Sequence, residues 1–341
     1  MILIVFNSSS GNTILKLPVY LKAYQTSNTM NTIKTVFALL CFATLSINVM
    51  VGQEGHPLEG KWNLTIDQEG EELPSWLEIR HSGTNTLIGR FTYAFGSARP
   101  IAEIEKHGDL FSFEIPPQWE PGASNMEFEG KMVGDGLEGT MIYVDGKTYN
   151  WTATKSPILP FYDNAKEGKT IKLFNGKNLN GWKLKEGNQW AVIDGVLTSS
   201  KSGVNLISEE KFKDFKLHAE FRYPEGSNSG LYLRGRYEVQ IADNIGLEAS
   251  SIYFGGIYGL LSPSENVALK AGEWQSFDIT LIGRRVTIVA NGKTIISNQN
   301  IDGMTGGTLD NNEAEAGPIM IQGDHGPVEF RKLEITPLSK G

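Results

Sequence analysis

The stretch LHAEFRY, Leu217 to Tyr223, alternates without a break: Leu217, Ala219, Phe221 and Tyr223 on one side, His218, Glu220 and Arg222 on the other. Successive side chains of an extended chain point to opposite faces, so this segment reads as a strand with one apolar and one polar face. The pattern repeats downstream, where Phe277, Ile279 and Leu281, then Val286 and Ile288, supply further strand faces. Asp194-Gly195 joins WAVI to VLTS, and Asn291-Gly292 joins VTIVA to KTIIS. Both are hairpin signals, because a type I′ turn needs positive φ at its two central residues. Helical periodicity is scarce. Many antiparallel strands in this half predict a two-sheet sandwich of jelly-roll type, and the fold class is all-β.

Upstream lies KSPILPFYDNAKEGK, Lys155 to Lys169, whose prolines and polar second half read as a linker over 156–170. A smaller β domain is expected over 56–155. Its turn signals are Asp135-Gly136 and Asp145-Gly146, and it opens with Gly60-Lys61-Trp62 and ends on a strand carrying Trp151. The Gly-X-Trp opening resembles lipocalin-like barrels, so an N-terminal lipocalin-like β-barrel or compact sandwich is expected, with both tryptophans closing its core. Before it, Thr35 to Gly52 form one long apolar run preceded by Lys34, the layout of a secretory signal over 30–52. A retained anchor is the other reading, weakened by Ser46 and Asn48. Met30 reads as the true start, with 1–29 a spurious extension, and Cys41 as removed with the signal. The expected location is periplasmic or secreted, with no stable membrane span in the mature chain.

The 341 residues carry a formal charge of −8, and Lys16, Lys22 and Lys34 are the only charged residues before Glu54, so the remainder is more acidic still. Nucleic-acid binding is excluded as a reading, because phosphate neutralisation needs clustered Lys and Arg. With Cys41 the single cysteine, no intramolecular disulfide or thiolate metal cluster forms. No nucleotide loop and no G-x-S-x-G elbow is present, which argues against hydride transfer and serine-nucleophile chemistry.

Five segments of the second half, in order, are LFNGKNLNGW (173–182), NSGLYLRGRYEVQIAD (228–243), GGIYGL (255–260), GEWQSFDIT (272–280) and IMIQGDHGPVEFRKLEI (319–335). Together they resemble the 3-keto-disaccharide hydrolase family, a concanavalin A-like jelly roll, over 171–338. The first half, with GSARP at 96–100, more loosely resembles a domain preceding it in some members. The resemblance implies cleavage of glycosides already oxidised at C3, and therefore an oligosaccharide or glycoside substrate and a separate oxidoreductase that makes it. The alternative is a non-catalytic, lectin-like carbohydrate-binding module, since the jelly roll serves both.

A C3 ketone acidifies the C2 proton. Removing it lets the C1 substituent leave, and water then adds back; the protein supplies a base, an acid and an enolate stabiliser. On the strand Tyr237-Glu238-Val239-Gln240-Ile241, Glu238 and Gln240 share a face. Glu238 is the candidate base and Gln240 a substrate hydroxyl contact, against the reading that both are merely solvated. A conventional glycosidase is disfavoured, because Gln240 and Ala242 stand where a second same-face carboxylate belongs. His325, in the loop Gln322-Gly323-Asp324-His325-Gly326, is the candidate proton-transfer histidine, and Gln322 a substrate contact. Glu220 is a second acid if its strand face is concave. Arg234 polarises the ketone or forms a structural ion pair with Glu220 or Glu238; Asn228 and Asp243 contact substrate or cap turns. Tyr258, Tyr232 and Trp274 are stacking candidates, although Trp274 reads better as core. No cofactor is certain; His325 with Asp324, Glu238 or Glu220 offers donors for a divalent metal ion, while HExxH and EF-hand spacings are absent.

Overall fold

The computed structural model describes residues 4–6, 13–15 and 56–341. The chain divides into two compact units, Met1–Gly55 and His56–Gly341. In the first, β1 (Ile4–Phe6) and β2 (Thr13–Leu15) form an antiparallel pair. The expectations about the apolar run Thr35–Gly52, the start at Met30 and Cys41 lie outside the described residues. Among the described residues there is no helix, and so none long and apolar enough to cross a membrane.

The second unit opens with β3 (Gly60–Gln68), β4 (Glu71–Ser82), β5 (Thr86–Thr92), β6 (Arg99–His107), β7 (Leu110–Ile115), β8 (Met126–Val133), β9 (Gly136–Ile142) and β10 (Thr148–Lys155). Each strand pairs with the next and β10 returns to β3, a closed up-and-down barrel with no free edge. Of the two forms expected from the sequence, it is the barrel. Trp62 and Trp151 are buried in its core with Phe91, Phe111 and Phe128. Gly130 and Gly139 face one another across β8 and β9, and a Cβ on either would overlap the Trp151 indole, so the glycines make the space the ring fills.

The remaining strands are β11 (Ala165–Glu167), β12 (Ile171–Lys172), β13 (Trp182–Lys183), β14 (Trp190–Ile193), β15 (Val196–Ser199), β16 (Leu206–Phe212), β17 (Phe215–Arg222), β18 (Asn228–Leu233), β19 (Tyr237–Ala242), β20 (Gln275–Ile282), β21 (Arg285–Ala290), β22 (Lys293–Asn300), β23 (Gly317–Ile321) and β24 (Val328–Lys340). They build a sandwich. One sheet runs β14-β15-β24-β17-β20-β21-β22, with β11 and β12 also on β24; the other runs β13-β16-β23-β18-β19. Leu217, Ala219 and Phe221 from the first sheet and Leu231, Tyr237 and Val239 from the second meet in one buried core. The polar face of β17 is therefore the outside of the larger sheet. Trp274 lies on that outside too, half-buried between Arg222 (4.7 Å) and Arg331 (4.6 Å), which corrects its reading as core.

Barrel and sandwich pack within this unit. Trp76 of β4, fully buried, joins the sandwich core instead of the barrel's, and Gly303 leaves the room its ring needs. Asp302 pairs with Lys61 (2.6 Å) and Arg90 (2.7 Å), and Asn311 bonds Thr65 (2.8 Å). The connection 301–316, between β22 and β23, is thus clamped between the two halves.

Candidate active site

Strands β18 and β19 form a hairpin in which Tyr232 lies opposite Glu238 and Gly230 opposite Gln240. Because Tyr237, Val239 and Ile241 point into the sandwich core, period two sends Glu238 and Gln240 to the other face of the smaller sheet. That face is the floor of a cavity of about 580 Å³, of ligand-binding size. Asn228, Tyr232, Glu238 and Gln240 form the floor, and Asn205, Gln322, Asp324 and His325 one end. Tyr258 stands at the edge of β19, because the segment carrying it runs alongside that strand: Tyr258 N–H donates to Glu238 O and Gly255 N–H to Gln240 O. The barrel supplies the roof through Phe95, Gly96 and Trp119.

Glu238 is 4% exposed, and burial pushes its carboxyl up to about 8. Desolvation penalises the charged form; Tyr232 and the charge of His325 pull the other way without cancelling it. Tyr232 Oη lies 2.9 Å from Glu238 Oε2 and 2.9 Å from Gly306 O. One phenol carries one proton. With Glu238 protonated, the acid donates to Tyr232 and Tyr232 to Gly306 O; with Glu238 ionised, the phenol donates to the carboxylate and the carbonyl is left without it. Two glycines fit this arrangement: a Cβ at Gly230 would collide with the Glu238 carboxylate, and one at Gly307 with the Tyr232 hydroxyl.

The His325 loop is held from beneath. Gln322 N–H donates to Gly230 O (2.9 Å), Ser229 Oγ to Gln322 O (2.7 Å), and Gly323 N–H to Asn205 Oδ1 (2.9 Å). His325 Nδ1 lies 2.7 Å from Asp324 Oδ1. That bond raises the imidazole above its ordinary range against the opposing effect of burial. Burial alone would raise Asp324, but the bond to His325 outweighs it and the carboxyl falls below its usual range. Three buried amide oxygens, Asn228 Oδ1, Gln240 Oε1 and Gln322 Oε1, have no protein partner, and all three residues line the cavity. Such acceptors suit the hydroxyls of a polyol ligand.

The structure brings together Glu238, His325, Gln240, Asn228, Tyr258 and Gln322 of the residues singled out in the sequence. Two others are corrected, and a third takes its capping alternative. Glu220 lies on the outer face of the larger sheet, bonded to Arg331 and His218, because its strand buries the opposite face in the core. Arg234 is fully buried below the hairpin turn, donating to Gly283 O (2.6 Å) and Tyr237 Oη (3.2 Å), and pairs with neither Glu220 nor Glu238. Asp243 caps Gly226 N–H (2.8 Å). Among the described residues no group of three His, Cys, Asp or Glu side chains is placed to hold a metal ion, and of the donors named from the sequence Glu220 lies outside the cavity. Sequence reasoning missed Asn205, Gly306, Gly307 and the barrel's three residues. The one local signal was PPQWEPG (116–122), a tryptophan in a proline-rich loop.

Residues 169–336 match the model of the 3-keto-alpha-glucoside-1,2-lyase-like domain. A 3-keto-disaccharide hydrolase of Bacteroides thetaiotaomicron is 33% identical over 75 residues, covering 18% of this chain. The match spans 26% of the length of that curated relative. A provisionally named glycosyl hydrolase from Parabacteroides distasonis, known from its crystal structure, is 29% identical, covering 52% of this chain and 92% of that one with a TM-score of 0.43. A second from the same organism is 26% identical, covering 50% and 100% with a TM-score of 0.41. The segment that builds the sandwich and its cavity floor, residues 169–336, is therefore similar to the 3-keto-alpha-glucoside-1,2-lyase-like domain family over that whole span.

Proposed function

We propose that the protein is an exported enzyme that cleaves 3-keto-glycosides by elimination followed by hydration. The observation that carries this reading is a buried carboxyl, Glu238, on the floor of the same cleft whose end carries the Asp324-supported imidazole of His325. A base whose pKa lies near the working pH is both available and strong enough to take a carbon-bound proton. Glu238 removes the C2 proton of the bound 3-keto sugar, and the electron pair forms an enolate on the C3 oxygen. The enolate collapses to a C1–C2 double bond as the C1–O bond breaks. The imidazolium of His325 gives its proton to the departing oxygen. Water then adds at C1, a proton returns to C2, and the net result is hydrolysis. Asn228, Gln240 and Gln322 accept hydrogen bonds from the sugar hydroxyls and fix the ring over Glu238.

Two further parts of this reading lie outside the cleft. The substrate is made by a separate oxidoreductase that oxidises a C3 hydroxyl, since this chain shows no nucleotide-binding loop in its sequence. Export follows from the basic and apolar layout of residues 30–52. N-terminal sequencing of the protein recovered outside the cytoplasm checks the export: a mature start near Gln53 is expected, and a cytoplasmic protein starting upstream refutes it.

The decisive experiment incubates the purified protein with a 3-keto disaccharide and with its unoxidised parent, with and without a chelator. Cleavage of the keto sugar alone, with a 1,2-unsaturated intermediate detectable by its ultraviolet absorbance, is the expected outcome. Binding of sugars without turnover of either substrate would replace the enzyme by a recognition module.

A further inference from the structure

Trp119 is 66% exposed although it lines the cleft, and the loop that carries it is unusually well fixed. Glu120, 6% exposed, takes Arg99 through two bonds (2.9 and 3.1 Å). Its Oε2 also accepts the backbone N–H groups of Gln118 (2.7 Å) and Trp119 (3.1 Å), and Arg99 reaches Pro116 O (2.8 Å). Gln118 Oε1 accepts Ser97 N–H (2.9 Å), at a turn where Gly96 has φ +85° and a Cβ would press on that same amide. Gly96, Ser97 and Arg99 of the GSARP segment thus all hold this loop. A buried ion pair is costly to assemble and specifies one geometry more than it adds stability. Here the geometry it specifies is an indole presented to solvent at the mouth of a sugar-binding cleft. Phe95, 39% exposed and edge-on to Tyr93 at 4.9 Å, stands on the same rim.

We propose that Trp119, with Phe95 beside it, is the platform on which the leaving-group ring of the substrate stacks. The inference rests on the reading of the cleft as an active site. The reacting sugar occupies the floor, where Glu238, His325 and the unpartnered amides are. The group attached at its C1 must then project toward the mouth, and there the barrel meets it with a flat apolar surface. A pyranose ring with an apolar face, or an aryl group, matches that surface; a small alcohol leaves it wet. The substrate class is therefore 3-keto glycosides with a ring-bearing leaving group, and the barrel is the part of the molecule that selects them.

The test compares wild type, Trp119→Ala and Trp119→Phe on phenyl and methyl 3-keto-glucosides, reading the variant-to-wild-type ratio for each substrate so that leaving-group reactivity cancels. For the phenyl glycoside Trp119→Ala raises KM about tenfold, the scale of one aromatic stacking contact, with kcat nearly unchanged. The methyl glycoside responds less than the phenyl one, and Trp119→Phe keeps most of the discrimination. Equal ratios for the two substrates, or no change, overturn the platform. Calorimetric titration with the unoxidised phenyl and methyl glucosides gives an answer independent of turnover. If the wild type turns over neither keto sugar but binds the phenyl compound better, and Trp119→Ala abolishes that preference, the platform stands and the enzyme reading falls. If the wild type shows no preference, the platform is wrong whatever the catalytic result.

Discussion

Glu238 ties the chemistry of the cleft to the stability of the fold. As the proposed base it works only when ionised, and with its pKa pushed up to about 8 only about a tenth is ionised at pH 7. The pH profile of kcat/KM is expected to climb from pH 6 as Glu238 ionises and to fall again as the His325 imidazolium loses its proton, and Glu238→Gln to lose at least about 10²-fold. Tyr232→Phe removes the phenol that stabilises the carboxylate, so the rising limb moves to higher pH. A flat profile between pH 6 and 8 would remove Glu238 from the role. Linkage gives a second readout. The folded protein keeps this proton up to about pH 8 whereas an unfolded carboxyl releases it near 4.5. The folded state therefore binds more protons in between, and the stability contributed by neutral Glu238 is complete below about 4.5 and lost as pH rises through about 8. Glu238→Gln stays neutral, so its Tm advantage over wild type is expected to grow from pH 5 to pH 8. Thermal scans across that range check it.

At the scale of the element, the hairpin β18–β19 places every floor residue by register alone, and its glycine is as specific as its acid. Gly230→Ala puts a methyl group where the Glu238 carboxylate lies, with the strand otherwise intact. Activity is expected to fall about 10²-fold, as for other small misplacements of a catalytic group, while far-UV circular dichroism stays unchanged; full activity would mean the carboxylate has freedom this packing denies it. The turns of the molecule show how far such local chemistry is readable. Asp194-Gly195 (φ 50° and 80°) and Asn291-Gly292 (φ 50° and 79°) adopt positive φ at both residues, as type I′ requires. The other two turn signals misplace the conformation. Between β8 and β9 the turn is Gly134-Asp135, with Gly136 already paired to Val133, and between β9 and β10 only Gly146 of its pair has positive φ. A glycine on either side of an aspartate satisfies the same composition, and only the cross-strand register decides which one bends.

Across the whole molecule, the barrel and the sandwich are joined by one apolar insertion and a few polar bonds, and magnitude separates them. Trp76→Ala empties a fully buried site in the sandwich core and is expected to cost about 3–5 kcal/mol. It should also lower activity, since the connection 301–316 that it packs against carries Gly306 and Gly307. Asp302→Asn breaks half-exposed pairs with Lys61 and Arg90 and should cost under about 1 kcal/mol. Denaturant titrations of the two variants check the order; a larger loss for Asp302→Asn would mean the ion pairs, and not the tryptophan, hold the halves together. What the sequence determined by itself was whatever depends on period and local conformation: the β class, the alternation that puts Glu238 beside Gln240, the exposed His325 loop, the tryptophans of the barrel core. Which face of each strand meets the core was not local. Glu220 and Glu238 occupy equivalent polar positions on alternating strands, and only the stacking of two sheets sends one to the outer surface, among Arg331 and His218, and the other to the floor of a cleft. The roof belongs to a segment more than a hundred residues upstream in the chain, and only the packing of barrel on sandwich sets Trp119 above a cleft whose floor holds Glu238, buried and with its pKa raised by the loss of water.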